Sequence, residues 1–587
     1  MGGRPGELGP LAARRSALAS RGRSVLALAA LAPTVLRLGW REPVIDPTVG
    51  LTMQMIVLAL YAAALLAPAV LAPAGSRRFA LLESQRAELV IVGLALALGW
   101  TAGWAMATLT IALVLFHVMK LYLDLVQTSI PAGLVFVGSF LIFSVVGTGA
   151  LMLPAATPED ARPITVLEAS FTIVSAISQT GLILRDTGSE FTRFGQVIIL
   201  IWIQVGALGV IVFGALLATF LGANFGLRAQ QTIAEDTEQG WTGQLSLAKL
   251  VVFTIIVTHA LQLVGAVALF FGWPETWPGA PPMETVGDRA FHAVFFSVSA
   301  VCNAGFSTAP NSMEGLRSHW SPHLVLAPLI LLGSIGFPVL DNLRQTVVAR
   351  LRKRRLIDGR LVRLNLNTKI VLSATLAVYA LGFVLVLIGE MTQADVPFGL
   401  ALLDAHFMNI NRTSGFNTIP VQDMGLLSQL TLILLMFIGG SPGSFAGGIK
   451  MMVFAVLILT VWSTIMGRRQ TEVFGRTLHD SIVRKSATLI TLSLVTVMVV
   501  TGVLAATETV SGRHTLDELL FEATSAFGTT GFSMGITSEV SDPGKVALMV
   551  AMFVGRVGPL AVLAGLLSIT RRSKTRYAYA TEEVVIY

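Results

Sequence analysis

Long apolar runs alternate with short charged blocks along most of this chain. The apolar segments lie at about 51–73, 90–116, 130–154, 195–221, 247–272, 322–341, 367–389, 424–467, 484–506 and 545–570. Several of them reach the length of about 20 residues that a helix needs to cross a bilayer. The pattern therefore predicts an all-α integral membrane protein with many spans.

Four of the intervening stretches have a different pattern. They lie at 154–195, 272–322, 389–424 and 506–545, and each carries a moderately apolar, helix-length piece followed by a turn of small residues and glycine. These pieces are too short and too polar to be ordinary spans. Each one predicts a re-entrant hairpin, in which a short pore helix enters the membrane and the chain returns as a loop.

Composition excludes a soluble protein. The chain is 54% hydrophobic and only 13% charged, with a mean hydropathy of +0.75, whereas soluble domains contain about 25% charged residues. The net charge of +7 does not indicate nucleic-acid binding, because the basic residues lie beside membrane segments. A single cysteine, Cys302, excludes an internal disulfide and a multi-cysteine metal site.

The basic residues predict the orientation of the chain. They cluster at 344–363, 468–485 and 571–576, and by the positive-inside rule these loops are cytoplasmic. Each cluster follows a span that itself follows a hairpin, so the hairpins enter from the outside. We expect a multi-pass protein of the cell membrane with both termini in the cytoplasm. Residues 1–50 are interpreted as a cytoplasmic tail with an interfacial helix.

The hairpins recur at a nearly constant spacing, with turn glycines at positions 181, 305, 415 and 531. A repeat of this length is a whole structural unit, here a first span (M1), a pore helix with its loop, and a second span (M2). Units of like orientation are related by an axis along the membrane normal, so the spacing predicts a pseudo-fourfold array around one central path. The predicted bounds are 51–127 for two leading spans, 128–240, 241–365, 366–482 and 483–570 for repeats one to four, and 571–587 for a cytoplasmic tail.

The four hairpin tips carry the candidate cation ligands. A dehydrated cation needs a ring of oxygens in place of its water shell, and backbone carbonyls supply such a ring. Aiming consecutive carbonyls at one axis requires backbone angles that glycine adopts without strain. An ordinary turn is the alternative for any one tip, but four copies at matching places favour a selectivity filter. The predicted filter residues are Gln179, Thr180, Gly181, Asn303, Ala304, Gly305, Thr413, Ser414, Gly415, Thr529, Thr530 and Gly531.

The third M2 region, 424–467, is too long to be one span. As a single helix its 44 residues would measure about 66 Å, roughly twice the thickness of the hydrocarbon core. Glycines and a proline in its middle predict a break, and we interpret 439–449 as an intramembrane gate loop below the filter. The alternative is a kink that allows close helix packing. The candidate gate residues in this loop are Gly439, Gly440, Ser441, Gly443, Ser444, Gly447 and Gly448.

The M2 segments carry motifs that resemble a known family. The third M2 reads FIGGSPGS at 437–444 and the fourth reads FVGRVGPL at 553–560. The second M2 carries GSIGF at 333–337, and the first M1 ends with GTG at 147–149. Over roughly residues 128–587 the chain resembles the Trk/Ktr/HKT superfamily of potassium transporters, specifically the bacterial Trk- and Ktr-type membrane subunits. Its two leading spans are similar to those of the Trk-type subunit.

This resemblance implies potassium uptake through a channel-like pore, with K⁺ as the transported ion and no bound cofactor. It also implies a homodimer in membrane lipid, with a separate cytoplasmic nucleotide-binding regulatory ring that docks on the basic loops. Sodium-conducting members of the family tend to have serine at the first filter glycine, so Gly181 favours potassium. An ion-coupled potassium symporter, driven by sodium or protons, and a sodium-conducting member stay open as alternatives. An enzyme is not expected, since the predicted spans carry neither paired carboxylates nor a histidine cluster.

Arg556 is a charged residue within an otherwise apolar span, where it costs about 3 kcal/mol unless it finds a partner or water. The resemblance places it in the pore below the filter and beside the gate loop, where it adds a barrier to cations. The alternative is an arginine that pins two helices through backbone carbonyls. The family usually has threonine where this chain has Phe445, so the polar contacts of the gate are expected to differ.

Three other charged residues lie close to the predicted filter. Glu168 and Glu522 are in the predicted pore helices, where they either concentrate cations at the outer mouth or stabilise helix N-termini. Arg412, one step before the third filter triplet, is expected to buttress its loop.

Overall fold

The chain folds as a mostly helical protein in a computed structural model. The structure describes residues 10–42, 44–71, 86–98, 132–223, 244–274, 276–281, 283–352, 363–393, 396–508 and 514–559, with isolated positions at 106, 109–110, 113–114, 117 and 562. Most of the predicted second leading span, the end of the fourth M2 and the C-terminal tail lie outside the described residues. Two compact units form, one of Met1–Ile130, Gly149–Ile164 and Phe191–Gly195, the other of Pro131–Thr148, Thr165–Glu190 and Gln196–Tyr587.

The smaller unit contains three leading helices. They are α1 (Pro10–Leu38), α2 (Pro47–Leu71) and α3 (Arg86–Leu98). Their apolar faces share one buried cluster that includes Ala27, Leu58 and Val92. Within it the Tyr61 hydroxyl donates a 2.6 Å hydrogen bond to Glu88, so this buried carboxylate has a polar partner, as burial in an apolar setting requires.

The larger unit repeats one order of elements four times: an M1 helix, a shorter pore helix and an M2 segment. The elements are α4 (Ala132–Leu151), α5 (Val166–Ser178) and α6 (Arg193–Ala223); α7 (Gln244–Gly272), α8 (Val286–Val301), α9 (Ala327–Ile335) and α10 (Phe337–Leu351); α11 (Leu366–Met391), α12 (Phe398–Ile410), α13 (Leu426–Phe437) and α14 (Met451–Ile465); and α15 (Asp480–Glu508), α16 (Leu516–Gly528) and α17 (Asp542–Val557). A small hairpin of β1 (Glu472–Val473) and β2 (Arg476–Thr477) joins α14 to α15.

The pore helices are short because their sequences begin and end them locally. They contain 13, 16, 13 and 13 residues, fewer than the roughly 20 that a span needs. Three of them begin with a capping box, in which a threonine and an acidic residue three positions later satisfy each other's backbone amides. The pairs are Thr165 with Glu168, Thr285 with Asp288, and Thr515 with Glu518.

Glycines let three M2 helices pack directly against the ends of their pore helices. A Cβ atom at Gly206, Gly333 or Gly555 would collide with the carbonyl oxygen of Ile177, Val301 or Phe527, respectively. These carbonyls occupy matching places, one residue before the final position of α5 and α16 and at the last position of α8. Small residues at such contacts allow helices in a membrane to approach closely.

The second M2 differs from the continuous apolar segment that the sequence predicts. It begins with a π-helical turn at Pro322–Leu326, and α9 and α10 then meet at an angle of 98°. Gly336 is the bend, with a left-handed φ of 96° that glycine adopts without a Cβ penalty. Pro338 follows in the first turn of α10, where its missing amide hydrogen costs nothing.

The third M2 contains the break that its length predicts. Helix α13 ends at Phe437 and α14 begins at Met451, so residues 438–450 form a loop between two half-helices. The fourth M2 helix ends at Val557, followed by Gly558 with a φ of 91°, and most of its predicted continuation to residue 570 lies outside the described residues. This glycine has nearly the same backbone conformation as Gly336.

Helix length and apolarity support a multi-pass membrane protein. Among the described residues, four helices are long and apolar enough to cross a membrane, or five if the bent pair in the second M2 is one span. The shorter apolar helices include the described parts of the first M1 and first M2, both pieces that flank the third M2 loop, and the first pore helix. The prediction of ten apolar spans therefore holds in part for the described chain.

Candidate cation pathway

The four predicted filter loops share a backbone feature at their glycines. Gly181, Gly305, Gly415 and Gly531 have left-handed φ angles of 88°, 70°, 83° and 96°. In three loops the residue two positions earlier is also left-handed, with φ of 60° at Gln179, 55° at Asn303 and 48° at Thr529. The third loop differs, because a 3₁₀ turn at Asn411–Thr413 replaces that conformation.

The glycines bring the four loops together in cyclic order. A Cβ atom at Gly181 would lie 2.6 Å from the carbonyl oxygen of Ala304, in the second loop. In the same way Gly305 meets Ser414, Gly415 meets Thr530, and Gly531 meets Thr180, which closes the circuit. Each contact joins a glycine to the carbonyl that precedes the next glycine, so the twelve predicted filter residues lie in four mutually contacting loops.

Side chains reinforce these contacts between loops. Thr413 donates a 2.9 Å hydrogen bond from its Oγ1 to Oδ1 of Asn303, which joins the third loop to the second. Thr530 donates a 2.8 Å hydrogen bond to the carbonyl of Arg412, which joins the fourth loop to the third. The loops are thereby fixed to one another and not only to their own helices.

Two serines that sequence analysis did not single out hold the filter glycines. Ser175 Oγ accepts a 3.0 Å hydrogen bond from the amide of Gly181, and Ser525 Oγ accepts a 3.1 Å bond from the amide of Gly531. A Ser-Ala pair recurs in the matching pore helices at Ser175, Ser299 and Ser525. That recurrence is the sequence signal that could have identified them.

All four filter glycines line one cavity of about 410 Å³. Its wall also includes the acidic residues Asp186 and Glu314 and the polar residues Asn417, Ser533 and Thr537. No lysine or arginine is among the lining residues within the described chain. An acidic, uncharged-polar wall with low-dielectric surroundings raises the local concentration of cations.

The predicted gate loop closes on itself at a narrow neck. The amide of Gly439 donates to the carbonyl of Ile449 at 2.8 Å, and the amide of Met451 donates to the carbonyl of Gly440 at 2.9 Å. Ile438 and Ile449 form a bridge of the β type. These bonds satisfy backbone groups that a broken helix exposes, which irregular backbone inside a membrane requires.

Beyond its neck the loop is attached to the bent second M2. The amide of Ser441 donates to the carbonyl of Ser334 at 2.9 Å, and the amide of Phe445 donates to that of Gly333 at 3.1 Å. In return, the amide of Phe337 donates to the carbonyl of Gly443 at 3.1 Å. The 98° bend at Gly336 therefore exposes backbone groups of the second M2 that the loop pairs.

The far side of the loop contacts the fourth repeat. The amide of Gly447 donates to Oγ1 of Thr529 at 3.1 Å, and the amide of Gly448 donates to the carbonyl of Gly555 at 3.2 Å. Thr529 is one of the predicted filter residues. The predicted gate and the predicted filter are thus in direct contact, and Ser444 closes the turn through a bond to the carbonyl of Ser441.

Arg556 joins three parts of the larger unit. Its guanidinium donates to the carbonyl of Phe445 in the gate loop, to Oε1 of Gln179 in the first filter loop and, at 3.3 Å, to the carbonyl of Gly206. The residue is only 5% exposed. It therefore pins helices through backbone carbonyls and also lies between the predicted filter and the predicted gate.

The replacement of threonine by Phe445 leaves this arginine contact intact, because the backbone supplies the acceptor. The Phe445 ring is fully buried and packs edge-to-face against Phe337, with ring centroids 4.9 Å apart. The side chain thus adds an apolar contact to the bent second M2, whereas the carbonyl carries the polar one.

Other basic residues near the loops cap exposed carbonyls. Arg412 donates to the carbonyls of Leu435, at 3.0 Å, and Ile438, at the C-terminal end of α13. It thereby supports the broken helix as well as its own loop. Lys450 donates to the carbonyl of Ala446 at 2.6 Å within the gate loop.

Comparison with known proteins agrees with this arrangement. Residues 106–570 match the TrkH family, described as a cation transport protein. The chain is 32% identical over 459 residues to the Ktr system potassium uptake protein B of Bacillus subtilis, an alignment that covers 76% of this chain and 95% of that protein. It is 28% identical over 468 residues to the potassium/sodium uptake protein NtpJ of Enterococcus hirae, covering 78% and 97%.

The fold is also that of a solved structure. The crystal structure of the potassium transporter TrkH from Vibrio parahaemolyticus matches with a TM-score of 0.58 and 18% identity, covering 89% of this chain and 98% of that one. At this identity the likeness concerns the fold. The family match and the 32% identity to the Bacillus protein confirm the predicted resemblance. The chain belongs to the TrkH family of cation transport proteins and is a membrane subunit of the Trk/Ktr superfamily.

Proposed function

We propose that this chain takes up potassium across the cell membrane, through a pore whose selectivity filter is made by the four pore loops in pseudo-fourfold array. The observation that carries the proposal is the cyclic contact of the four left-handed glycines, each against the carbonyl that precedes the next. Such an arrangement turns consecutive carbonyls toward a common centre. Carbonyl oxygens there replace the water shell of a dehydrated cation.

The setting of the loops favours a cation. Each pore helix ends at its filter loop, so the partly negative C-terminal ends of four helix dipoles converge there. The cavity against the glycines carries the carboxylates of Asp186 and Glu314. Ions therefore meet a negative approach, then a ring of backbone oxygens.

The loop at 438–450 is the gate in this account. Its glycines, serines and neck bonds place irregular backbone within the third M2, and Arg556 bonds to both the loop and Gln179. A positive charge next to the filter opposes the passage of cations. Release of the loop would remove both the obstruction and one anchor of that arginine.

Potassium is favoured over sodium as the transported ion. Gly181 is present at the position where sodium-conducting relatives tend to have serine, and the Bacillus and Vibrio alginolyticus relatives are named Ktr system potassium uptake proteins. The name of NtpJ, a potassium/sodium uptake protein, favours a sodium-conducting function as the second candidate. The ion, whichever it is, is cargo and not a resident cofactor.

Assembly and orientation are part of the proposal. The Bacillus relatives are named as components of Ktr systems, which supports a homodimer that binds a separate nucleotide-binding regulatory ring on its cytoplasmic face. The basic residues of the loop around β1 and β2, including Arg468, Arg469 and Arg476, support a cytoplasmic position for that loop. Both termini lie on the same side in this account.

The test is potassium uptake in cells that lack their own potassium importers, with sodium as competitor. We expect the wild type to restore growth at low potassium, and Gly181→Ser to admit sodium, because an added side chain would press on the Ala304 carbonyl at 2.6 Å. Failure of well-expressed wild type to transport potassium, even with a cognate regulatory subunit, would exclude potassium as the substrate.

A further inference from the structure

The chain just beyond each filter glycine is held by a buried polar or charged side chain. Arg185 is fully buried and pairs with Glu168 of α5 at 3.0 Å. Thr308 meets Nδ1 of His292, in α8, at 2.8 Å. These contacts join the outgoing strand of a loop to the pore helix that precedes it, so they act behind the filter and not in it.

The third pore helix is held from the neighbouring loop. Asp404 of α12 accepts two hydrogen bonds from Nε of Arg317, at 3.0 and 3.2 Å, and the ion pair is closed by Nη2 of the same arginine. Arg317 lies beyond the second filter loop. Asp404 is fully buried, so its charge depends on this partner.

Glu522 of the fourth pore helix makes the most concentrated of these contacts. Its Oε1 accepts hydrogen bonds from Oγ of Ser533 at 2.5 Å and from the amide of Met534 at 3.1 Å. Its Oε2 accepts a 2.9 Å bond from Oγ1 of Thr537. All three donors lie on one short segment, residues 533–537, that begins two residues after the filter glycine Gly531.

Neither role considered for Glu522 from the sequence matches this geometry. The helix N-terminus is capped by Glu518, whose carboxylate accepts from the amide of Thr515 at 2.9 Å. Glu522 lies one turn further along, is 0% exposed and is not among the residues that line the outer cavity. Its donors Ser533 and Thr537 do line that cavity.

A buried carboxylate with three converging donors fixes the backbone to which those donors belong. Ser533 also donates or accepts a 2.9 Å bond with Thr537, and its Oγ accepts from the amide of Gly535 at 2.9 Å. The segment is therefore folded around the carboxylate. Hydrogen bonds to a charged group are stronger than neutral ones, so the segment follows the position of α16.

On the basis of the proposed function, we propose that Glu522 is a positioning residue for the fourth filter loop. It holds residues 533–537 against α16 and thereby fixes the direction of Gly531, whose Cα packs against the Thr180 carbonyl of the first loop. Its loss loosens one side of the ring. Discrimination between K⁺ and Na⁺ then falls, since selection depends on the number and placement of the carbonyls.

The test compares Glu522→Ala with Glu522→Gln. The alanine variant removes all three acceptors, and we expect the potassium-to-sodium uptake ratio to fall about tenfold, the size expected when one charged hydrogen bond is lost. Glutamine restores the ratio, because its oxygen accepts from Ser533 and Met534 while its nitrogen donates to Thr537. Glu518→Ala is the matched control: it weakens the same helix at its cap and leaves the ratio unchanged.

A second measurement separates this proposal from the proposed function. Amide hydrogen exchange of the purified protein reports on residues 533–537 without any transport, and exchange there should rise in Glu522→Ala and stay at the wild-type level in Glu518→Ala. A wild type that carries no potassium would overturn the proposed function, whereas exchange unchanged by Glu522→Ala would overturn the positioning role. A wild-type ion ratio in that variant would overturn its link to selectivity.

If Glu522→Ala does not accumulate in the membrane, Ser533→Ala combined with Thr537→Val replaces it. This pair removes two donors and leaves the carboxylate in place. The same loss of selectivity and faster exchange are expected, and a normal ratio with normal exchange would contradict the proposal.

Discussion

Single glycines at the filter are constrained twice, by their backbone angles and by the neighbouring loop. Gly415 has a φ of 83°, and its Cα lies against the carbonyl of Thr530. A side chain there meets backbone, which cannot rotate away. The same pair of constraints applies at the other three filter glycines, so the sequence signal of a repeated glycine has a physical cause at each position.

We predict that Gly415→Ala abolishes potassium uptake. The left-handed conformation costs an L residue about 1–2 kcal/mol, and the added Cβ must push the fourth loop out of the ring. Uptake in importer-deficient cells is the measurement, with membrane expression checked in parallel. Gly502→Ala is the control, since nothing lies within 4 Å of a Cβ at that helical position; near-normal uptake by Gly415→Ala would contradict the ring geometry.

One acidic residue of the outer cavity predicts a pH effect. Partial burial raises the pKa of Glu314 above its usual range, and Asp423 raises it further while the Asn417 amide, a hydrogen-bond donor, opposes the rise. Because the pKa is raised, the carboxylate is lost at a higher pH than for an exposed glutamate. As pH falls through this raised pKa, the cavity loses one of its negative charges.

We therefore expect the KM for potassium to increase as external pH falls below neutral, with little change in the maximal rate. The measurement is uptake kinetics at several external pH values. Glu314→Gln should have the raised KM at every pH and lose this part of the pH dependence. A Glu314→Gln variant with the wild-type pH profile would show that Glu314 does not act on ion entry.

Among the elements, the short pore helices and the broken third M2 could be predicted from the sequence. Their signals are local: length against the bilayer, capping residues, and glycines with Pro442 in the middle of an apolar run. The 98° bend of the second M2 was not predicted, because Gly336 and Pro338 also suit a mild kink. Its angle depends on backbone bonds to the gate loop, which is more than a hundred residues away in sequence.

The gate loop gives a prediction at this scale. Deleting residues 442–446 should raise potassium flux, because the neck bonds at Gly439 and Gly440 remain while the obstructing part and the acceptor for Arg556 are removed. The measurement is the initial rate of uptake per expressed protein. Deleting the exposed hairpin residues 473–476 is the control for chain shortening, and unchanged flux in the 442–446 deletion would exclude a gate.

Neutralising the arginine should act in the same direction. Arg556→Gln removes a cation that bonds to both Gln179 and the loop, so conductance or ion selectivity should change. Arg412→Gln serves for comparison, since this buried arginine caps the end of α13 and has no recorded bond to the first filter loop within the described chain. An Arg556→Gln protein that only fails to fold would favour a purely structural role.

Across the larger unit, the repeat period predicted which loops belong together but not how they meet. The cyclic order of contacts, from Gly181 through Gly305 and Gly415 to Gly531, depends on pairs of residues far apart in sequence. The departure of the third loop, with its 3₁₀ turn and the support from Arg412, also has no signal in the period. What the sequence could predict was local chemistry; what it could not was long-range closure.

The central claim is that the four loops form one cation site. The most direct measurement is an experimental structure of the protein with thallium, a potassium analogue visible by its anomalous scattering, followed by competition with potassium or sodium. We predict thallium among the carbonyls of Thr180, Ala304, Ser414 and Thr530, displaced by potassium and not by sodium. Thallium bound elsewhere, with this ring empty, would contradict the account.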